Sequence, residues 1–312
     1  MRIVFFGSPE AALPTLRRLL EEGHSVELVV SQPDKPAGRG RKLAPCPVKR
    51  FAAERGLPVV EPVRVRKDEG FLERLAAARP DINIVVAYGQ IMPVPVIDLP
   101  RYRSLNVHFS LLPRYRGASP VSWAILRGET RTGVTIFELN ERMDEGDVLA
   151  MEATDIGPRE TARELESRLA EIGARLMART LANIDAARRV PQDHKEATLA
   201  PKLRKEDGLV DWTADARTID RKVRAFDPWP TAFTFLGRVR LQVRRGLPLG
   251  SVAGAAKPGT VIAIGKGGLD TACGEGTIFR IERLHPEGKA EMDAYAYALG
   301  GNVRPGDSFG LA

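Results

Sequence analysis

Arg2 to Phe6 reads as an apolar strand, and the residues that follow it restrict the kind of sheet it can join. Gly7 turns the chain, and Pro9 suits the first turn of a helix because its missing N–H is not needed there. The helical pattern runs to Glu22, where Gly23 offers a left-handed stop. Ser25 to Val30 is the next strand. Strand, helix and strand in this order make a βαβ unit, so an α/β fold is expected, with a parallel sheet and helices on its faces. The first turn is Gly7-Ser8-Pro9 and not G-x-G-x-x-G, which argues against a nicotinamide or flavin dinucleotide.

Ile82 to Ala87 is apolar throughout, as expected of a strand buried on both faces. Tyr88, Gly89 and Gln90 follow at its carboxyl end, where open α/β sheets bind ligands. Between these strands, Val59–Val60 reads as a short strand flanked by helices over Lys49–Arg55 and Asp68–Ala78. Val134–Leu139 and Val148–Ile156 read as further strands, the latter as an antiparallel partner. Thr161–Ala186 reads as a long helix opened by a Thr161/Glu164 capping box.

The chemistry gathers between Ser104 and Asp147. A strand delivers Asn106 and His108 to one face, because residues two apart on a strand point the same way. A Pro/Gly-rich loop, Ser110 to Gly117, follows. A later strand is expected to end at Asp144 at the same sheet edge. An amide, an imidazole and a carboxylate suit proton transfer beside a developing oxyanion.

Ser31 to Arg50 holds four prolines, two glycines and six Lys/Arg against one Asp, and reads as a long irregular loop. Arg39, Arg41 and Lys42 would make a cationic finger at its tip, against the simpler reading of a solvated loop. The net charge is +7, spread as +2 over residues 1–187, +2 over 188–208 and +3 over 209–312, so a polyanion site would be a local patch. Hydrophobic content of 43% and charged content of 28% are those of a globular protein. No segment is long and apolar enough to span a membrane, and the N-terminus is too short in apolar residues for a signal peptide. Cys46 and Cys273 suggest a reducing, cytoplasmic setting, and neither they nor the four scattered histidines show metal-ligand spacing.

Arg188 to Asp207 is polar and aperiodic and reads as a linker. Beyond it come a helix over Thr218–Ala225 and short β runs at Ala232–Leu236, Val239–Val243, Thr260–Ile264, Leu269–Ala272 and Thr277–Leu284. That spacing favours a small antiparallel barrel of the oligonucleotide-binding kind. Arg238, Arg240, Gln242 and Arg244 share one strand face, either a solvated exterior or a basic track for a phosphate backbone. Trp229, between Pro228 and Pro230, reads as a core anchor.

The run Asn106-Val107-His108, Ser110 to Pro113, Arg116-Gly117, Pro120 and Asp144 resembles the active-site signature of folate-dependent formyltransferases. The likeness covers nearly the whole chain, from QPDKPAGRGRKL and VVAYGQIMP through TGVTIF and MDEGDVL to KLRKEDGLVDW, RAFDPWP and PEGK. It implies a Rossmann-like catalytic domain over 1–187, a linker over 188–208 and an OB-like barrel over 209–312 that assists tRNA binding. It further implies 10-formyltetrahydrofolate as donor, the amine of methionyl-initiator tRNA as acceptor, no metal, and a monomer. Asn106, His108 and Asp144 would be catalytic. Tyr88, Gly89, Gln90, Ser110, Leu111, Leu112 and Pro113 would line the folate site. Arg39, Arg41, Lys42, Arg238, Arg240 and Arg244 would meet tRNA. Two departures from the pattern stand out: Phe109, in place of a small residue, is expected to reshape the donor pocket, and Asp227 replaces a common Asn. A small-acceptor formyltransferase and a non-catalytic RNA-binding protein are the rival readings.

Overall fold

The computed structural model describes residues 1–37, 42–251 and 256–310. Along the first two thirds of the chain run β1 (Arg2–Gly7), α1 (Leu13–Glu21), β2 (Ser25–Val30), β3 (Lys35–Ala37), β4 (Lys42–Ala44), α2 (Pro47–Glu54), β5 (Val59–Val60) and α3 (Glu69–Ala77). Then come β6 (Ile82–Val86), α4 (Val94–Ile97), β7 (Ser104–His108), α5 (Pro120–Leu126), β8 (Arg131–Glu138), β9 (Val148–Asp155) and α6 (Ala162–Ala182).

The chain divides into two compact units. The first takes Met1–Pro120, Arg131–Asp155 and Glu166–Pro201. Its sheet has the order β5-β2-β1-β6-β7-β8-β9, with pairing parallel as far as β7 and antiparallel for β8 and β9. The βαβ opening behaves as its residues dictate. A side chain at Gly7 would meet the Phe5 ring and the Ala12 methyl within 3 Å, so only glycine lets the chain turn so tightly off β1. Gly23 stands at φ +76° just past α1. β6 is buried at every position, as a central strand of a two-sided layer must be.

Two expectations change here. The basic stretch after β2 is not wholly irregular, because Lys35–Ala37 and Lys42–Ala44 pair as an antiparallel hairpin; Arg39 and Arg41 lie outside the described residues. The polar stretch read as a linker is divided, residues 188–201 clustering with the first unit and 202–208 with the second. Val190 bridges Val148, and Leu199 bridges Arg116. Phe109 is buried and lies against Gly173 of α6, so it packs the helix onto the sheet.

The second unit takes Val121–Thr130, Ile156–Leu165 and Lys202–Ala312. It contains α7 (Ala216–Ala225), β10 (Phe233–Leu236), β11 (Val239–Ser251), β12 (Val261–Gly265), β13 (Gly268–Ala272), β14 (Thr277–Pro286), β15 (Met292–Asp293), α8 (Ala294–Tyr297) and β16 (Phe309–Gly310). The strands order as β12-β13-β14-β11-β10-β16, with β15 added to β14. The sheet curls until its ends meet: Thr260 bridges Ser308, and the Val261 and Phe309 N–H groups donate to the Asp307 and Gly259 carbonyls at 2.8 Å each. This is the small antiparallel barrel expected. Leu241, Val243, Phe279 and Ile281 fill it, joined by Ile219 and Val223 of α7. Trp212 stacks on Phe309 at 5.6 Å and donates its indole N–H to Thr234.

Candidate active site

β7 places Asn106 and His108 on one face, and the His108 ring is 6% exposed. Its Nε2–H donates to the Tyr115 carbonyl at 2.9 Å. A carbonyl can only accept, so this contact fixes the proton on Nε2 and leaves Nδ1 as the nitrogen that gains or loses one. The Phe137 ring meets the imidazole edge-on at 6.2 Å. The Asn106 carboxamide is half-buried and makes no side-chain hydrogen bond among the described residues.

Asp144 arrives by a different route from the one expected. β8 ends at Glu138, and because it runs antiparallel to β7 the chain leaves it beside Ser104, whose carbonyl accepts the Leu139 N–H. The following loop folds back over the strand end. A Cβ on Gly146 would overlap the Glu138 carbonyl, so glycine is needed at that crossing. The fold-back brings the Asp144 Oδ2 to 2.7 Å from the Gly117 nitrogen, which donates to it, and to 3.8 Å from His108 Nδ1. The latter separation is too long for a hydrogen bond. The imidazole is therefore oriented by the Tyr115 carbonyl and not by Asp144. Tyr115, Asp144 and Ala87 all adopt positive φ, at 62°, 55° and 47°, the kind of strained backbone that concentrates at functional sites.

The 110–117 loop is latched to β8. The Thr135 hydroxyl donates to the Ser110 carbonyl at 2.6 Å and accepts the Leu112 N–H at 3.1 Å. The Ser110 hydroxyl is itself committed to the Arg114 carbonyl, so what this segment presents is main chain with Leu111, Leu112 and Pro113. At the end of β6, Tyr88 points into the core against Phe6, with its hydroxyl unpartnered among the described residues and its ionisation suppressed by burial. Its carbonyl accepts from Gln32, and the Gln90 amide spans Pro62 and Val65. Tyr88 thus shapes this edge through its carbonyl and Gln90 through its side-chain amide.

Sequence reasoning quoted Arg116 within the signature without a role of its own, and passed over Gln192. The Arg116 guanidinium, 4% exposed, donates twice to Gln192 Oε1, and Gln192 Nε2 donates to the carbonyls of Asp144 and Gly146. It also passed over the Tyr115 carbonyl, which has no side-chain signature. Thr135, a hydroxyl inside the apolar TGVTIF strand, was the one such signal on offer.

In the second unit the basic strand face is partly spent. Arg240 lies over the Phe233 ring at 4.0 Å. Arg244 pairs with Asp227 at 3.1 Å and Glu291 at 3.4 Å. Arg238 is exposed in the turn before β11. Asp227, where Asn is common, also accepts from Arg163 at 3.2 Å, so its charge is used within the unit. Trp229 is 51% exposed and is not the core anchor expected. The Phe226 carbonyl takes the Thr231 N–H across the turn, which leaves the indole outside it.

A carboxylate loop folded back toward a buried imidazole, at the edge of an open α/β sheet, is an arrangement suited to acid–base group transfer. The chain belongs to the formyl transferase family: the profile described as formyl transferase matches residues 1–181, and that of the formyl transferase C-terminal domain matches residues 202–302. It is 43% identical to a methionyl-tRNA formyltransferase of Citrifermentans bemidjiense over 99% of this chain and 96% of that one. It is 45% identical to a methionyl-tRNA formyltransferase of Acidobacterium capsulatum over 98% of each. Among solved structures, WlaRD, a sugar 3N-formyl transferase with dTDP and 5-N-formyl-THF, shares the fold at a TM-score of 0.65 and 16% identity, over 93% of this chain and 98% of that one. Among the described residues no three His, Cys, Asp or Glu side chains gather as a metal site, and no helix is long and apolar enough to cross a membrane.

Proposed function

We propose that this chain transfers the formyl group of 10-formyltetrahydrofolate to the free amine of methionyl-initiator tRNA, giving N-formylmethionyl-tRNA for translation initiation. One observation carries the reading: Asp144 is brought beside an imidazole whose Nδ1 alone is free to exchange a proton, in a chain that aligns end to end with relatives named for that reaction. The amine attacks the formyl carbon and the carbonyl electron pair moves onto oxygen. Asn106 and protonated His108 stabilise that oxyanion. The oxyanion's electron pair then re-forms the carbonyl as the bond between the formyl carbon and the folate nitrogen breaks, and the proton lost by the amine passes through the Asp144–His108 pair to that nitrogen, so no proton or charge is left over. Ser110 to Pro113 and the backbone of Tyr88 to Gln90 line the folate site. Arg39, Arg41 and Lys42 steer the acceptor stem, and the barrel adds Arg238 and Arg240, with Arg244 acting mainly as an internal ion-pair partner. Residues 1–187 form the catalytic part and 209–312 the tRNA-binding barrel of a cytoplasmic monomer.

The test is a formylation assay with methionyl-initiator tRNA beside a gel shift with the same tRNA, for wild type and the Arg39→Ala/Lys42→Ala double variant at several salt concentrations. Formylation with a strongly reduced and salt-flattened kcat/KM in the variant is expected, with folate binding unchanged. Formylation of an amino sugar but not of the tRNA would favour the small-acceptor reading.

A further inference from the structure

We propose that Gln192 is a positioning residue for formyl transfer and acts through Asp144; the inference rests on the catalytic role proposed for Asp144. Gln192 lies 48 residues from Asp144 in the polar stretch after α6, and it is 8% exposed. Its Nε2 donates to the main-chain carbonyl of Asp144 at 2.9 Å and to that of Gly146 at 2.7 Å. Its Oε1 accepts from Arg116 Nε at 3.1 Å and Nη2 at 2.7 Å. Both donors and both acceptor sites of the carboxamide are thus in use. The two carbonyls flank Glu145, so a single amide clasps the turn on which Asp144 stands at φ 55°.

Such a conformation in a residue other than glycine persists only where the surroundings over-determine it. Arg116 supplies that determination from the other side. Its guanidinium is buried, with Nη1 3.5 Å from Glu145 Oε1 and Nη2 3.2 Å from His194 Nδ1, and its backbone pairs with residues 198–200. The neighbouring Gly117 N–H is the donor that holds the Asp144 carboxylate. Arg116 and Gln192 therefore fix the carboxylate's backbone and its hydrogen-bond donor as one assembly. Loss of the clasp leaves every reacting group present and misplaces one of them, an error that costs turnover more than binding.

The experiment is steady-state and single-turnover formylation of methionyl-initiator tRNA by wild type, Gln192→Ala, Gln192→Glu, Asp144→Asn and the Gln192→Ala/Asp144→Asn double variant. Gln192→Glu keeps an oxygen for Arg116 and loses the amide donors, so it carries the test if the alanine variant does not fold. Both Gln192 variants are expected to lower kcat about tenfold or more, with KM for either substrate within about twofold of wild type. Adding Gln192→Ala to Asp144→Asn should cost less than about a further twofold, since the two act on one group. A full multiplicative loss in the double variant, or a change in KM with kcat intact, overturns the inference and leaves the role of Asp144 standing. Wild-type turnover in Asp144→Asn withdraws that role and the inference with it.

Discussion

The Asp144 carboxylate accepts the Gly117 N–H at 2.7 Å yet stands 3.8 Å from the Nδ1 of His108. The backbone, and not the imidazole, aims the carboxylate. Asp144→Asn can still accept that N–H through its Oδ1, so the loop should keep its shape while the charge is lost. Turnover should fall by roughly a hundredfold or more, as should that of His108→Ala and Asn106→Ala. Gly117→Ala should do comparable damage without touching a reacting group, because φ is +122° there and a Cβ would lie 2.6 Å from the Ala200 carbonyl. Formylation kinetics beside thermal melting check both, and a folded, fully active Asp144→Asn would sink the assignment.

Gly173 of α6 lies directly against β7. A Cβ there would stand 2.6 Å from the Val107 side chain, between Asn106 and His108. Gly173→Ala should cost about 1–3 kcal/mol of stability by overpacking and lower kcat by shifting β7. An unchanged denaturation midpoint would show that the helix simply moves away.

The barrel arginines should separate by partner. Arg238→Ala with Arg240→Ala is expected to weaken tRNA binding and to flatten its salt dependence by roughly 0.7–0.9 per lost phosphate contact on a log–log plot. Arg244→Ala should instead lower stability, since it takes one partner from Asp227 and one from Glu291. Filter binding at several salt concentrations and urea melts distinguish the two. Equal salt slopes for all three proteins would mean the strand face touches no phosphate.

The two cysteines should differ in reactivity. Burial pushes the Cys273 thiol up to about 12, so near pH 8.5 its reactive thiolate is scarcer than that of an ordinary thiol by roughly a thousandfold. Cys46 is only half-buried. Iodoacetamide on the folded protein at that pH should label Cys46 first and reach Cys273 in denaturant. Raising the pH toward 12 should bring Cys273 into reaction, provided the fold survives. Equal labelling rates at pH 8.5 would show that the barrel core opens readily.

What was legible in the sequence was periodic or local. Alternation in β7 placed Asn106 and His108 on one face, the βαβ opening announced the parallel sheet, and Thr161 with Glu164 does close a capping box. What escaped was long-range or carried by main chain. Arg116 and Gln192 are 76 residues apart, and a glutamine in a polar stretch gives no sign that it is buried. The Tyr115 carbonyl has no residue type to betray it. The fold-back of Asp144 depends on the antiparallel entry of β8, which neither strand's pattern states. The two-residue strands β15 and β16 are defined only by their pairing with β14 and β10, and such short pairings leave no periodicity to read. Arg244 showed its charge in sequence but not the two carboxylates that answer it.

The meeting of Thr260 with Ser308 has one more consequence. An open sheet ends in unpaired N–H and C=O groups, and these invite another chain to add a strand. The ring of the second unit has turned those groups inward on itself. In the first unit, one outer strand is only Val59–Val60, and the other begins beneath the bridge from Val190. The barrel therefore offers little edge for strand addition, and in the first unit such an edge is left on the far part of β9, beyond Val148.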